Sequence, residues 1–210
     1  MTSSGGHASN ASCASGFALC NVSHYVTMTV AYRGRLCETK IMRIRLATRD
    51  DIPALMELMR RVVPLMRAAG NLQWDETYPN ETAFQRDIDL GQLWVADAET
   101  SIAGLAAITM DQEPDYAQVG WDINEAAMVV HRLAVDPAFR GAGIAGALMR
   151  KAEEVAAERR IAVLRIDTNT QNAATQRLFP KLGYRLAGEI GLAFRPGLRF
   201  FCYEKRLRDD

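Results

Sequence analysis

The stretch from Met128 to Thr168 constrains the fold of this chain more than any other. It begins with MVVHRLAVDP, an apolar, β-branched run of strand length that ends at Asp136-Pro137. Such side chains suit a pleated surface, and the Asp-Pro pair marks a turn. After a glycine-rich turn, Ile144, Leu148, Ala152, Val155 and Ala156 fall on one stripe, and Arg150, Lys151, Glu153, Glu154 and Glu158 fall on the other face. That spacing predicts an amphipathic helix. Ile161 to Ile166 is strand-like again. Strand, turn, helix and strand in this order make a βαβ-like unit, whether or not its two strands are neighbours.

The turn is where chemistry enters. Arg140-Gly141-Ala142-Gly143-Ile144-Ala145-Gly146 spans the start of the predicted helix. Amides there have no intrahelical partner, and with the helix dipole they form an anion site. Glycine lets the backbone approach a phosphate with no Cβ in the way. Arg140 adds a permanent cation able to hold two phosphate oxygens. The plainer reading is a helix start whose small residues serve packing.

Two ligand readings compete. Gly141, Gly143 and Gly146 fit the dinucleotide fingerprint G-x-G-x-x-G, with Asp167 where the ribose-binding acid would stand. In such a site, however, the strand feeds straight into the first glycine, whereas Asp136 to Arg140 intervene here. Too few residues follow Thr168 for the further βα units that fold needs.

The second reading fits more of the chain. HRLAVDPAFRGAGIAGALM resembles the acetyl-CoA-binding motif of the GNAT superfamily of acetyltransferases, whose signature Q/R-x-x-G-x-G/A is met by Arg140, Gly143 and Ala145. NAATQRLFPKLGY, Asn172 to Tyr184, resembles the family's next helix, N-x-x-A-x-x-L-Y-x-K-x-G-F/Y. MRIRLATRDDIPALMELM, from Met42, resembles its first strand and helix. The resemblance covers nearly everything from Met42 onward, and the ordered co-occurrence is more specific than any one motif. It implies an α/β (α+β) fold, a mixed, mostly antiparallel central sheet of about seven strands flanked by helices on both faces. It also implies transfer of an acetyl group from acetyl-CoA, with no metal, to a primary amine of a small molecule or peptide by direct attack in a ternary complex. GNAT-like proteins are frequently dimers. Two alternatives remain beside this activity: a non-catalytic acyl-CoA-binding protein of the same fold, and the dinucleotide-dependent oxidoreductase suggested by glycine spacing alone.

The resemblance also distributes roles. The family's strand at Met128–Val135 bulges away from the next, and pantetheine enters that gap. Leu133, Ala134 and Val135 would then bond it through their backbone, one N–H reaching the thioester carbonyl. Arg140, Gly141, Ala142, Gly143, Ile144, Ala145 and Gly146 would take the pyrophosphate. Asn172, which also caps its helix, resembles the family's cofactor-contacting asparagine. Phe179 holds the cofactor-side position where the family often has Tyr, and Pro180 follows it, which should loosen the last helical turn. Phenylalanine cannot give a proton to the leaving thiolate, so Tyr184, Tyr203 or water would have to serve; a thiol with a pKa of about 8.5 leaves readily.

His131 is the candidate base. Strict strand alternation puts it on one face with Leu133 and Val135, at a position where the family often has glutamate. A neutral imidazole of pKa about 6.5 could take a proton from an ammonium, directly or through water. A half-buried histidine satisfied by a carbonyl is the plainer account. Glu125 and Asp122, just upstream, are fallback bases that read equally well as solvated loop residues.

Composition sets outer bounds. With 210 residues, 49% hydrophobic and 24% charged, the chain has the makeup of one soluble globular domain. No apolar run nears the roughly 20 residues a membrane helix needs. A formal net charge of zero gives no global case for nucleic acid. Charge is uneven, though. No Lys or Arg lies between Arg86 and Arg132, where Asp87, Asp89, Asp97, Glu99, Asp111, Glu113, Asp115, Asp122 and Glu125 fall. With aromatic loops around Trp74, Tyr78 and Trp121, that segment suggests a cationic acceptor with some apolar surface, met by Asp122 among others.

Residues 1–41 are rich in Ser, Ala and Gly without lasting periodicity. They read as a flexible extension, compatible with a short strand around His24 to Ala31, and residues 42–210 as the single domain. The extension lacks a signal-peptide pattern, so a cytoplasmic setting is expected, and the spacing of Cys13, Cys20 and Cys37 suggests neither zinc nor disulfides. Further on, Asp50 or Asp51 should cap a helix that breaks at Pro64, with a second helical piece to Ala69. A helix over Asn80–Leu90, a hairpin of Leu93–Ala98 and Ile102–Thr109 turning at Glu99-Thr100, and a loop to Asn124 follow. After the βαβ-like unit come a helix from Asn172 to Lys181, stopped by Gly183, and a hairpin of Tyr184–Ile190 and Leu198–Lys205.

Overall fold

The structure, a computed structural model, describes residues 25–29, 39–98 and 101–207, with side chains from Met42 onward. The turn expected at Glu99-Thr100, most of the expected extension, and Cys13, Cys20 and Cys37 lie outside the described residues.

Eight strands form one sheet: β1 (Tyr25–Thr29), β2 (Thr39–Leu46), β3 (Leu93–Asp97), β4 (Ile102–Thr109), β5 (Met128–Val135), β6 (Val163–Asn169), β7 (Arg185–Gly191) and β8 (Arg199–Arg206). Their order is β1-β2-β3-β4-β5-β6-β8-β7, and every neighbouring pair is antiparallel except β5–β6. The expected mixed, mostly antiparallel sheet is therefore present, and the strand beyond the expected seven is β1, drawn from the stretch read as extension.

Helices α1 (Ile52–Ala68) and α2 (Glu81–Asp89) cover one face, and α3 (Ile144–Glu158) and α4 (Ala173–Lys181) the other. On the α3 side, Ile144, Leu148, Ala152, Val155 and Ala156 are buried with Met128, Val130, Leu164 and Ile166. Each large aliphatic side chain so buried stabilises by about 1.5–3 kcal/mol. On the opposite face, Leu55, Leu58, Met59 and Phe84 pack on Leu93, Val95, Leu105 and Ala107. Beyond them a 3-10 segment, Pro114–Val119, lays Tyr116 on Val129, Phe200 and Cys202.

Three local expectations are corrected. The first helix does not break at Pro64 but runs unbroken to Ala68. Pro64 and Arg60 are both exposed, so the Arg60 carbonyl that loses its amide partner can turn to water. Asp51 stands at the N-cap position, yet its carboxylate turns back to accept from Thr48 N at 2.7 Å and from Arg45 at 2.7 and 2.8 Å. Pro180 likewise leaves α4 intact through Lys181, where Gly183 (φ 84°) lets Tyr184 N close the end on Phe179 O at 3.0 Å.

The irregularity that matters lies in β5. Leu105 pairs with Ala134 but Ala107 pairs with His131, so two residues of β5 face one of β4. The inserted residue is Arg132, with φ 53°, a left-handed conformation uncommon outside glycine. Past this bulge, Gly104 lies so close under the strand that a Cβ would stand 2.8 Å from the Ala134 carbonyl and 2.8 Å from Ile144 Cγ2. Gly104→Ala should therefore lower the urea midpoint, by about 1–3 kcal/mol of unfolding free energy; an unchanged midpoint would show that β5 and α3 can yield there.

Candidate active site

The parallel pairing of β5 with β6 consists of Met128↔Leu164 and Val129↔Arg165 and then stops. Beyond Val129 the two strands diverge, and the β6-facing edge of β5 has no strand partner. Side chains from both faces of the sheet line the resulting cleft. Val130, Leu133, Ile166, Thr168 and Phe179 approach from the α3/α4 side, while His131, Asp167 and Glu113 approach from the other.

The bulge separates His131 from Leu133 and Val135. Its partner Ala107 packs under α1 and α2, as does Ala134, whereas Leu133 and Val135 pack with α3. His131 therefore shares a face with Ala134 rather than with Leu133 and Val135. The expected alternation fails because the extra residue at Arg132 resets it. His131 Nε2 lies 3.0 Å from the Asp111 carbonyl. A carbonyl can only accept, so in the neutral ring this bond assigns the hydrogen to Nε2 and leaves Nδ1 with a free lone pair.

Two acids that sequence patterning did not single out as bases stand near His131. Glu113, on the segment over the sheet, has a side chain with no hydrogen bond to any described residue, and burial raises its pKa. Asp167 accepts from the Tyr116 hydroxyl at 2.7 Å, and burial pushes its carboxyl up as well. The glycine spacing had pointed to Asp167 as a ribose ligand; Glu113 was one acid among many, and only the fold brings it to the cleft.

Glu125 goes elsewhere. Its carboxylate accepts from Arg206 at 2.8 and 3.0 Å and from Arg165 at 2.7 Å, and these cations, Arg206 foremost, lower its pKa. Among the described residues it does not line the cleft, so the expectation of a base there is corrected: two ion pairs occupy it. Trp121 and Asp122 are likewise turned away from the cleft. Trp121 packs edge-on against Tyr116 at 5.3 Å and beneath the Arg165 guanidinium at 4.8 Å. Asp122 is exposed, its carbonyl accepting from Arg165 at 3.0 Å. The cause is Arg165 itself, 1% exposed, which folds the segment back by also bonding Gln112 and Glu204.

Trp74 and Tyr78 do reach the cleft. The Tyr78 hydroxyl accepts from Arg132 Nη1 at 2.7 Å, while Arg132 grips the buried Asp87 of α2 with two bonds of 2.7 Å. The bulged strand is thus tied to the loop after α1. Tyr184 and Tyr203 pack against the far side of Phe179 and do not line the cleft; burial raises the pKa of both hydroxyls.

On the α3 side the cradle is built. The amides of Gly141, Gly143, Ile144, Ala145 and Gly146 find no acceptor among the described residues, while Ala142 N is spent on Phe139 O. Gly143 (φ 77°) and Gly141 (φ 80°) hold left-handed conformations that shape the turn. Asp136 fixes its entry: one carboxylate oxygen accepts from Ala138 N at 2.8 Å and the other from Arg61 of α1 at 3.0 Å. Arg140 is exposed and ion-pairs with no described residue. Leu133, Ala134 and Val135 lead from the cleft to this turn. Asn172 lines the cleft and caps α4 through Thr175 N at 3.4 Å. A row of open amides beside a free guanidinium and an unpaired strand edge fits a ligand with a phosphorylated end and an amide-bearing arm.

Comparison with known proteins follows the same lines. The model of the acetyltransferase (GNAT) family matches residues 56–184. A GNAT-family acetyltransferase of Streptococcus agalactiae is 28% identical, with a TM-score of 0.69, over 80% of this chain and 96% of that one. An N-acetyltransferase of Thermoplasma acidophilum, solved in complex with coenzyme A, shares the fold at 17% identity and a TM-score of 0.59, covering 79% and 98% of the two chains. Human N-acetylaspartate synthetase is 28% identical over 112 residues, 53% of this chain and 33% of that protein. The match thus spans about a third of that relative's length.

The raised pKa of Glu113 has a thermodynamic consequence. Below the ordinary glutamate value of about 4.3, the carboxyl is neutral both folded and unfolded. As pH climbs through the interval between that value and the raised one, the unfolded chain ionises first and stability falls. Glu113→Gln should therefore be more stable than the parent to urea at pH 7 and equal to it near pH 4. A difference independent of pH would assign the gain to something other than this carboxyl.

Proposed function

The chain belongs to the acetyltransferase (GNAT) family, and from that premise we propose that it transfers the acetyl group of acetyl-CoA to a primary amine by direct attack in a ternary complex. The observation that carries this is the parting of β5 from β6 after Val129, because it opens the sheet between an anion cradle on one face and an acid–base cluster on the other. Acetyl-CoA supplies an activated carbonyl and a thiolate leaving group. The open amides from Gly141 to Gly146 and the Arg140 guanidinium would take its phosphates, and the free edge at Leu133, Ala134 and Val135 would hold its arm. Asn172 and Phe179 would flank that arm from α4. The Thermoplasma relative solved with coenzyme A supports the cofactor class at the level of the fold.

The acceptor would approach from the face of Trp74 and Tyr78. An amine attacks only when neutral, so the site must remove a proton. His131, with Nδ1 free, and Glu113, whose raised pKa makes it a stronger base than an ordinary glutamate, are the groups we assign to this task. Phe179 gives no proton and Tyr184 and Tyr203 lie behind it, so water would protonate the thiolate. A non-catalytic acyl-CoA binder draws on that same Phe179, and lack of turnover despite tight binding would favour it. The dinucleotide reading has lost its support, since the sheet around the glycine turn is mostly antiparallel.

Thiol release from acetyl-CoA with a mixed amine library tests the proposal. Initial rates at varied concentrations of both substrates should give intersecting double-reciprocal lines; parallel lines would mean an acetyl-enzyme instead. His131→Ala and Glu113→Gln should each lower kcat by about 10²-fold or more. Arg140→Ala should raise the KM for acetyl-CoA about tenfold while sparing kcat.

A further inference from the structure

On the acceptor side of the cleft, the turn between β7 and β8 carries Arg195, held in place by Arg195 N on Leu192 O at 2.9 Å. Its guanidinium lies over the Tyr78 ring at 5.3 Å, and Nη1 donates to Asp75 Oδ2 at 3.2 Å. Asp75 is itself fixed. The hydroxyl and amide of Thr77, at 2.6 and 2.8 Å, and then Arg195 hold its pKa down to about 2. One end of the guanidinium is thus committed, and its plane is set by the tyrosine.

The other edge is not committed. Arg195 Nε is buried with no hydrogen-bond partner, and Nη2 bonds to no described residue. A buried donor left unmet is unfavourable and uncommon in folded proteins. The Nε–Nη2 edge also presents two parallel N–H groups, the geometry that grips a carboxylate with both oxygens. Because Asp75 already offsets part of the charge, the site suits a monoanion better than a phosphate dianion. Across the same cleft stand Glu113, His131 and Asp167, the groups able to face an ammonium and take its proton.

We infer that the acceptor is a small amino acid-like zwitterion, its amine directed to His131 and Glu113 and its carboxylate bound by the Nε–Nη2 edge of Arg195. This rests on the transfer reading above and narrows it: amines without a carboxylate, and the amines of peptides, lack the group that Arg195 awaits. Arg195 determines specificity and has no part in the proton transfer.

The test compares free amino acids with their carboxamides, glycine against glycinamide and leucine against leucinamide among them, in thiol release from acetyl-CoA by the full chain. The acid of a productive pair should be favoured roughly 100-fold in kcat/KM. Arg195→Ala should erase that preference mainly through KM, and Arg195→Lys, which keeps the charge but loses the planar edge, should restore only a small part of it. Retention of the thermal shift produced by acetyl-CoA shows that each variant is folded. Equal or better use of carboxamides or peptides, or an undiminished preference in Arg195→Ala, overturns the inference and leaves the transferase standing. Acetyl-CoA binding without turnover of any amine sinks both.

Discussion

The extra residue that Arg132 inserts into β5 governs the positions around the cleft. An uninterrupted strand, with Met128 and Val130 on the α3 side, would carry its alternation through residue 135 and put Leu133 with His131 on the acceptor side. The bulge instead leaves His131 on the acceptor side and turns Leu133 toward α3. The left-handed backbone at Arg132 costs on the order of 1–3 kcal/mol. What offsets it is visible: the Arg132 guanidinium lands on Asp87 and Tyr78 with three bonds of 2.7 Å. Breaking such a buried pair costs about 3–5 kcal/mol, since it strands a buried charge. The strain and its compensation come from the same residue, one from its backbone and the other from its side chain.

Arginines from other elements also offset part of the charge of the acidic segment. Asp87 is bound by Arg132, Asp89 by Arg49, Asp97 by Arg45, and Glu125 by Arg165 and Arg206. Arg165 is inaccessible to solvent and joins β6 to Gln112, Glu125 and Glu204. The effect is to pull residues 112–125 down over the sheet, which carries Glu113 to the cleft and buries the Tyr116 hydroxyl against Asp167. A stretch without a single lysine or arginine of its own is thus neutralised in part by cations from other elements, and Glu113 at the cleft is one that those cations do not reach.

That division separates what the sequence disclosed from what it withheld. The βαβ unit, the glycine cradle and its anion chemistry depend on local periodicity and backbone freedom, so they could be read from Met128 to Thr168 alone, and β5 runs from Met128 to Val135 as expected. The parting of His131 from Leu133 could not, because a one-residue bulge leaves no mark in a run of apolar residues. Pro64 looks like a break on paper and Pro180 like a loosened last turn, but an exposed proline in a helix already held by packing loses one bond and keeps its contacts. Glu125, Trp121 and Asp122 were drawn toward the site by charge and aromatic content, and the structure gives them instead to Arg165. Ion pairs across 40 or more residues, such as Arg165 with Glu125, have no signature in spacing.

The sheet divides the proposed reaction as well as the fold. Positive potential gathers on the α3 side, from open amides and Arg140, where an anionic coenzyme would lie and where a thiolate would be stabilised as it leaves. Proton-accepting groups gather on the opposite side, where burial raises the pKa of Glu113 and Asp167 toward the range in which they hold protons well. Were both sets on one face, the amides would stabilise the carboxylates and weaken them as bases. Placing a strand between them keeps each field local, and the wedge after Val129 is an opening through which, under the proposed reaction, a neutral amine would meet the carbonyl. The acetylated amine and its proton would then leave from one face and CoA from the other, so neither product would have to pass the other.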